Sequence, residues 1–381
     1  MMNYLIAVDS FKDSLSSLEA GQALQKGILS ADSLANIQIL AMADGGEGTV
    51  DALLHANKGT EITVSVSGPL MEPTTAKYAV FETNGEEYVF IECAQSSGLP
   101  LVPYSMRNPM KSNTYGLGEQ IKDAIQRGYR NFILSLGGSA TNDAGIGMLQ
   151  ALGWEFYDKD GALIEISGNP LLRVHRIVDT NIMPELAECT FTVASDVMNP
   201  FYGPNGAAFV FAPQKGATAE QVEELDKAME HFAKLIHEHY QIDVQKISGS
   251  GAAGGLGGAL TGGLQAKIES GAELVMKLIR LEEYVKNADI VITGEGSLDQ
   301  QSIMGKVPVG VAKLAKKHHK TVIGIGGRMD TNLHKLNEYL DAVFSIQTQC
   351  RTLEEALLPE VASLQLKVTV EQIVKLINQV K

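Results

Sequence analysis

Apolar residues near the two ends of the chain come in short unbroken runs, whereas in the stretch between them they often alternate with polar ones. The run Y-L-I-A-V at residues 4–8 stops at Asp9-Ser10, and I-Q-I-L-A-M-A from Ile37 stops at Asp44-Gly45-Gly46. Strands buried on both faces read this way, with polar residues returning at the carboxyl end. Behind each run the spacing becomes helical: Leu18, Leu24 and Ile28 follow the caps offered by Ser14, Ser16 and Ser17, and Val50, Leu53 and Leu54 follow the second run.

The period then falls to two. T-E-I-T-V-S-V-S and E-E-Y-V-F-I-E-C alternate and are joined by turn residues, which predicts antiparallel pairs and a domain change near residue 61. A helix from Asn113 leads to the strand N-F-I-L-S-L, which ends at Gly137-Gly138-Ser139. Residues 220–240 carry Val222, Leu225, Met229, Phe232, Leu235 and Ile236 on one helical stripe. Buried runs return from Ala288, Thr321 and Asp341. The 381 residues exceed the roughly 250–300 at which one core stops growing. The expected fold is therefore α/β with two domains: a Rossmann-like or flavodoxin-like parallel sheet from residues 1–60 and 285–381, and an inserted mixed α/β domain, 61–284.

Composition narrows the class. No apolar run approaches the roughly 20 residues that cross a bilayer, and the first ten residues lack both a basic leader and a signal-peptide core, so a cytoplasmic protein without membrane contact is expected. A net charge of −14 with no basic cluster argues against nucleic acid. Cys93, Cys189 and Cys350 lie far apart and read as reduced, mostly buried thiols. The histidines show no zinc-binding spacing.

Candidate chemistry lies in glycine-rich turns behind the strands: Asp9-Ser10-Phe11-Lys12, Asp44-Gly45-Gly46-Glu47-Gly48-Thr49, Gly137-Gly138-Ser139-Ala140-Thr141-Asn142-Asp143 and Gly294-Glu295-Gly296-Ser297-Leu298-Asp299. Glycine lets backbone N–H groups crowd an anion, and phosphate is the natural candidate. A Walker A loop is absent, because Val307 follows Gly305-Lys306 where Ser or Thr would stand. Asp196 and Asn199 form a second acidic loop, open to a metal ion, a substrate hydroxyl or a plain Asx-turn. Lys215, in Pro213-Gln214-Lys215-Gly216, is a further cation for phosphate. Residues 249–263 hold eight glycines and include a formal G-x-G-x-x-G at Gly249, Gly251 and Gly254, with Glu269 beyond, although the preceding D-V-Q-K-I-S is too polar for a buried strand.

Taken in order, D-S-F-K, A-D-G-G-E-G-T, T-Y-G-L-G-E, L-G-G-S-A-T-N-D-A-G-I-G, D-V-M-N-P-F-Y-G-P-N-G, F-A-P-Q-K-G-A, G-A-A-G-G-L-G-G-A-L and T-G-E-G-S-L-D resemble the bacterial glycerate kinase family from Met1 to about Val311. Asp13 stands where many members have glycine. The resemblance implies phosphorylation of D-glycerate by ATP with Mg2+, to 2-phospho-D-glycerate or its 3-isomer, in a cleft between two domains. With that chemistry in view, Asp196 is the expected base or metal-associated acid, with Asp44 and Asp299 as competitors, and Lys12 and Lys306 face the developing phosphate charge. Gly45, Gly46, Gly138, Ser139, Thr141, Asn142, Gly251, Gly254, Gly255, Gly294 and Glu295 are expected at the nucleotide, and Ser10, Arg107, Asn199 and Lys215 at the substrate. Asp299 and Asp143 are expected at the metal. The alternatives are an NAD-dependent hydroxy-acid dehydrogenase, resting on the Gly249 fingerprint, and a catalytically inactive nucleotide- or metabolite-binding protein.

Overall fold

The structure is a computed structural model that describes residues 1–46, 48–299, 302 and 306–380. Glu47 and Gly305, quoted above in their motifs, lie outside the described residues. In chain order the strands are β1 (Asn3–Val8), β2 (Asn36–Ala41), β3 (Thr60–Ser67), β4 (Pro73–Thr83), β5 (Glu86–Glu92) and β6 (Asn131–Ser135). They continue with β7 (Glu155–Tyr157), β8 (Arg176–Val178), β9 (Thr190–Ala194), β10 (Lys267–Glu269), β11 (Ile290–Leu298), β12 (Thr321–Met329) and β13 (Ala342–Ser345).

The chain divides into two compact units, Met1–Lys58 with Ser270–Lys381, and Gly59–Glu269. The second boundary falls at 269/270 rather than 284/285. The helices Gly271–Leu278 and Leu281–Asn287 belong to the first unit, and Gly271 sits so close to it that a side chain there would strike the carbonyl oxygen of Asp44 at 2.0 Å.

The first unit is a five-stranded sheet in the order β13-β12-β11-β1-β2, parallel throughout. Its alternation explains the unbroken apolar runs. Tyr4, Ile6 and Val8 pack with Ile290, Ile292, Ile323 and Ile325 into one core, covered by Leu24 and Ile28 of the helix Ser17–Ala31 and Leu366, Val370 and Val374 of the helix Pro359–Gln379. Leu5, Ala7 and Val291 are equally buried and, by the two-residue period, face the other side. Ser16 caps the first helix in a reciprocal box with Glu19. From β1 the chain moves outward to β2, and after the other unit it returns on the opposite side of β1 as β11. The β1/β11 seam is thus the topological switch point, where open α/β sheets bind ligands outside the strands' carboxyl ends.

The second unit holds a six-stranded sheet, β10-β9-β6-β5-β4-β3. β3, β4 and β5 pair antiparallel, as the period-two segments predict, while β5, β6, β9 and β10 are parallel. The amphipathic segment forms the helix Ala219–Tyr240, opened by a capping box of Thr218 and Gln221, with Val222, Leu225, Met229, Phe232 and Ile236 buried. Among the described residues no helix is long and apolar enough to cross a membrane. The three cysteines are free, but Cys93 is the buried one: Cys189 is half-buried and Cys350 exposed.

Candidate active site

At the switch point of the first unit the backbone N–H of Asp9 donates to the carbonyl of Gly294 at 2.8 Å. Gly294 is obligatory there, because a Cβ would meet the carbonyl oxygen of Ile325 at 2.0 Å. The Asp9 carboxylate accepts from the N–H of Ser10 at 2.6 Å, yet burial and the neighbouring Asp44 and Glu295 push its pKa up to about 7. Glu295 is also buried. Its carboxylate accepts from the Ser302 hydroxyl at 2.5 Å and pairs with Lys306 at 3.5 Å, and burial still raises its pKa. One step outward, Asp299 accepts from the Ser297 hydroxyl at 3.1 Å and lies 3.7 Å from Arg328.

Across β1, Asp44 ends the second strand run and accepts from the N–H of Gly46 at 3.0 Å. Gly45 and Gly48 take φ of +89° and +85°, which turns the chain into the helix Thr49–Asn57 without the cost of a Cβ. A cavity of about 940 Å³ opens between this turn and the segment Asp9–Leu18, with Ser10, Lys12, Asp44, Gly46 and Asp51 on its wall. Lys12 is exposed and Ser10 half-buried. The structure therefore brings together Ser10, Lys12, Asp44, Gly45, Gly46, Gly294, Glu295, Asp299 and Lys306 on one sheet edge. Asp9 was named in its turn but given no role of its own. Its signal was present, since a buried strand run ends on it.

In the second unit the carboxyl edge carries Gly137-Gly138-Ser139 after β6 and Asp196 after β9. Gly138 has a φ of +73°, and Asp196 is exposed. Lys215 is almost fully buried, with Nζ donating to Ser139 Oγ at 2.9 Å and to the carbonyl of Thr141 at 2.6 Å. Burial lowers its pKa to about 8, against the opposing pull of Cys93 and Asp143. Lys215 thus anchors the Ser139–Thr141 backbone from inside.

Several other expected site residues are tied into the protein interior. The Asp143 carboxylate accepts from the N–H and hydroxyl of Thr114, both at 2.8 Å, and from the N–H groups of Gly147 at 3.1 Å and Gly145 at 3.3 Å. It is fully buried, and that burial raises its pKa despite four donors. These bonds make Asp143 a brace for its loop. Thr141 and Asn142 are sealed from solvent, with Thr141 Oγ1 and Asn142 Oδ1 buried without a hydrogen-bond partner among the described residues.

Gly251, Gly254 and Gly255 each lie close against the protein on the side where a side chain would stand. A Cβ at Gly251 would strike the carbonyl oxygen of Pro200 at 2.1 Å, at Gly254 that of Thr141 at 2.2 Å, and at Gly255 the Met229 methyl at 2.6 Å. Ala253, Gly254 and Gly255 all take positive φ at the start of the helix Ala252–Gly263, and Ala144 N–H donates to the Gly254 carbonyl at 3.1 Å. The glycine-rich stretch is packing that seats the Thr141–Ala144 loop.

Asn199 donates to the carbonyl of Asn205 at 2.8 Å and closes its own loop. Arg107 donates to the carbonyls of Val102 at 3.4 Å and Leu99 at 3.5 Å while lying over the Tyr104 ring. The dinucleotide fingerprint fails on context, because a single 3₁₀ turn, Val244–Lys246, precedes Gly249 where a buried strand is required.

A parallel sheet whose switch point gathers carboxylates and lysines defines an α/β enzyme that handles small charged ligands. The family described as the glycerate kinase family matches residues 4–378. The chain is similar to the glycerate 2-kinase of Escherichia coli (strain K12), at 44% identity over 356 residues and 93% of each chain. It is similar also to the glycerate kinase of Bacillus subtilis (strain 168), at 43% identity over 356 residues and again 93% of each. Among solved structures it resembles glycerate kinase 2 of Salmonella typhimurium LT2, with a TM-score of 0.88, 41% identity, and coverage of 99% of this chain and 98% of that one. The chain belongs to the glycerate kinase family, and it is a kinase. The dehydrogenase reading falls with its fingerprint.

Proposed function

We propose that the chain transfers the terminal phosphoryl group of ATP to the 2-hydroxyl of D-glycerate. The observation that carries this reading is the assembly of Asp9, Asp44, Glu295, Lys12 and Lys306 on the switch-point edge of a parallel sheet. The name of the E. coli relative, a glycerate 2-kinase, supports the choice of hydroxyl.

Asp9 is the proton acceptor in this proposal. A general base works best with a pKa near the operating pH, and Asp9 is pushed to about 7 by its burial and its acidic neighbours. It displaces Asp196, which is exposed just past β9. Lys12 and Lys306 supply preorganised positive charge for the transferring phosphoryl, an effect worth several kcal/mol where water is excluded. Ser10 donates to the substrate from the same turn. Lys215 acts behind the Ser139 loop as its anchor.

Mg2+ fits the donors available. It favours hard oxygen ligands and is commonly held by one or two carboxylates together with substrate phosphates, and Asp299 is the carboxylate proposed to hold it. When bound, the ion neutralises charge on the phosphate oxygens.

The test is release of ADP from ATP with D-glycerate present, followed by NMR of the product. A doublet from phosphorus coupled to the C2 proton supports the proposal. Coupling to the C3 methylene protons moves transfer to the 3-hydroxyl, and absence of ADP release removes the reading.

A further inference from the structure

The Phe11–Ser14 turn has the 940 Å³ cavity on one side and a smaller hollow of about 250 Å³ on the other. The smaller one lies against β11 and β12 and has a divided wall. Lys12, Lys306 and Arg328, with the carboxylates Asp9 and Glu295, make it charged on one part, whereas Ile346, Leu353, Ala356, Leu357 and Ala362 make the rest apolar. Phe11, Ile346 and Ala362 are buried beneath, but Leu353, on the helix Leu353–Leu357, is 75% exposed. Gly296 and Gly327 line it as well, with the two backbones so close that a Cβ on Gly327 would meet the carbonyl oxygen of Gly296 at 2.6 Å.

A phosphate or a three-carbon hydroxy acid has no surface that an apolar wall would cover. A ligand that is apolar and flat at one end and polyanionic at the other matches both parts. The volume is below the roughly 300–1,000 Å³ of sites that enclose a whole drug-sized molecule, so the hollow holds one ring system and leaves the rest outside.

We propose that this hollow is the base subsite of the nucleotide. The purine lies against Ile346 and the helix Leu353–Leu357, and the phosphates run out toward Lys12 and Lys306. Burial of the base against Leu353, Ala356 and Leu357 supplies apolar contact that the charged sheet edge lacks. The inference rests on the ATP-dependent reading above, and it assigns residues beyond about 340 to nucleotide recognition.

Ala356→Trp fills the hollow from a half-exposed helical position. The expected result is a KM for ATP raised about tenfold or more, equivalent to the loss of one good contact, with the KM for D-glycerate and inhibition by inorganic tripolyphosphate unchanged. A KM for ATP within twofold of the wild type overturns the subsite while leaving the kinase reading intact. Calorimetric titration with ADP decides the subsite separately from catalysis. ADP binding to the wild type that is weakened in Ala356→Trp supports it, and equal affinity in both sinks it, even in a preparation that turns over no glycerate. Leu357→Asp, at a partly exposed position, serves as a second variant with the same two outcomes should the tryptophan disturb folding.

Discussion

The backbone N–H of Asp9 donates to the carbonyl of Gly294 at 2.8 Å, so the end of the first strand is tied to the strand that returns after the whole second unit. The bond brings Asp9 close to Glu295, and with Asp44 on the adjacent strand end three acids share one edge. Burial, joined by repulsion from Asp44 and Glu295, pushes the pKa of Asp9 up to about 7.

Asp9→Asn tests both consequences of that placement. Turnover should fall about 100-fold or more, the scale of general-base loss. In the wild type, kcat/KM should fall as pH drops through about 7, and this acidic limb should vanish in the variant. Stability should move the other way. Between the ordinary carboxylate range and pH 7 the folded protein binds more protons at Asp9 than the unfolded chain, so this group lowers stability as pH rises through that window. The variant removes the penalty and should melt at a higher temperature than the wild type at pH 7.5. A lower melting temperature together with retained turnover would make Asp9 a structural residue.

Lys215 carries the opposite signature. Its folded pKa lies near 8, below the ordinary lysine value, so between pH 8 and about 10.5 the unfolded chain binds more protons and this group's contribution to stability rises with pH. Urea unfolding of wild type and Lys215→Met at pH 7.5 and pH 10 should show the wild type gaining on the variant at the higher pH. A pH-independent difference would place the ammonium in contact with solvent.

Much of the first unit was legible along the chain, and the physical reason is that its central strands, β1, β11 and β12, are largely buried on both faces. The apolar runs that end just before Asp9 and Asp44 mark their own carboxyl ends, whereas β11 runs on past Glu295 to Leu298. The strand order was not legible, and it alone makes Asp9 a neighbour of Glu295. Glycines misled for a related reason. Their pattern in 249–263 announces a close approach but not by what, and the partners turn out to be the carbonyls of Pro200 and Thr141. The donors that Asp143 accepts from, Thr114, Gly145 and Gly147, were likewise not legible along the chain.

Asp13 offers a test of strain in the turn that borders both cavities. It takes a φ of +63°, in the left-handed region that favours glycine. A non-glycine residue there costs about 1–2 kcal/mol, part of which glycine gives back through its greater entropy loss on folding. Asp13→Gly should therefore stabilise the protein by about 0.5–1 kcal/mol in urea unfolding. Destabilisation would mean that the Asp13 side chain makes a contact worth more than the strain.

Gly254→Val separates packing from ligand contact in the glycine-rich helix. A Cβ at this position meets the Thr141 carbonyl oxygen at 2.2 Å and the Asn142 Cα at 2.7 Å, and a β-branched residue is also poorly suited to a φ of +70°. Neither neighbour is the yielding tip of a side chain, so the Thr141–Ala144 loop and the brace at Asp143 must shift together. The expected outcome is a loss of stability of about 3 kcal/mol or more, with lower yield of folded protein, since overpacking and backbone strain add. Were the glycine instead facing the nucleotide, the variant would melt like the wild type and show only a raised KM for ATP. Melting curves recorded beside ATP titrations distinguish the two.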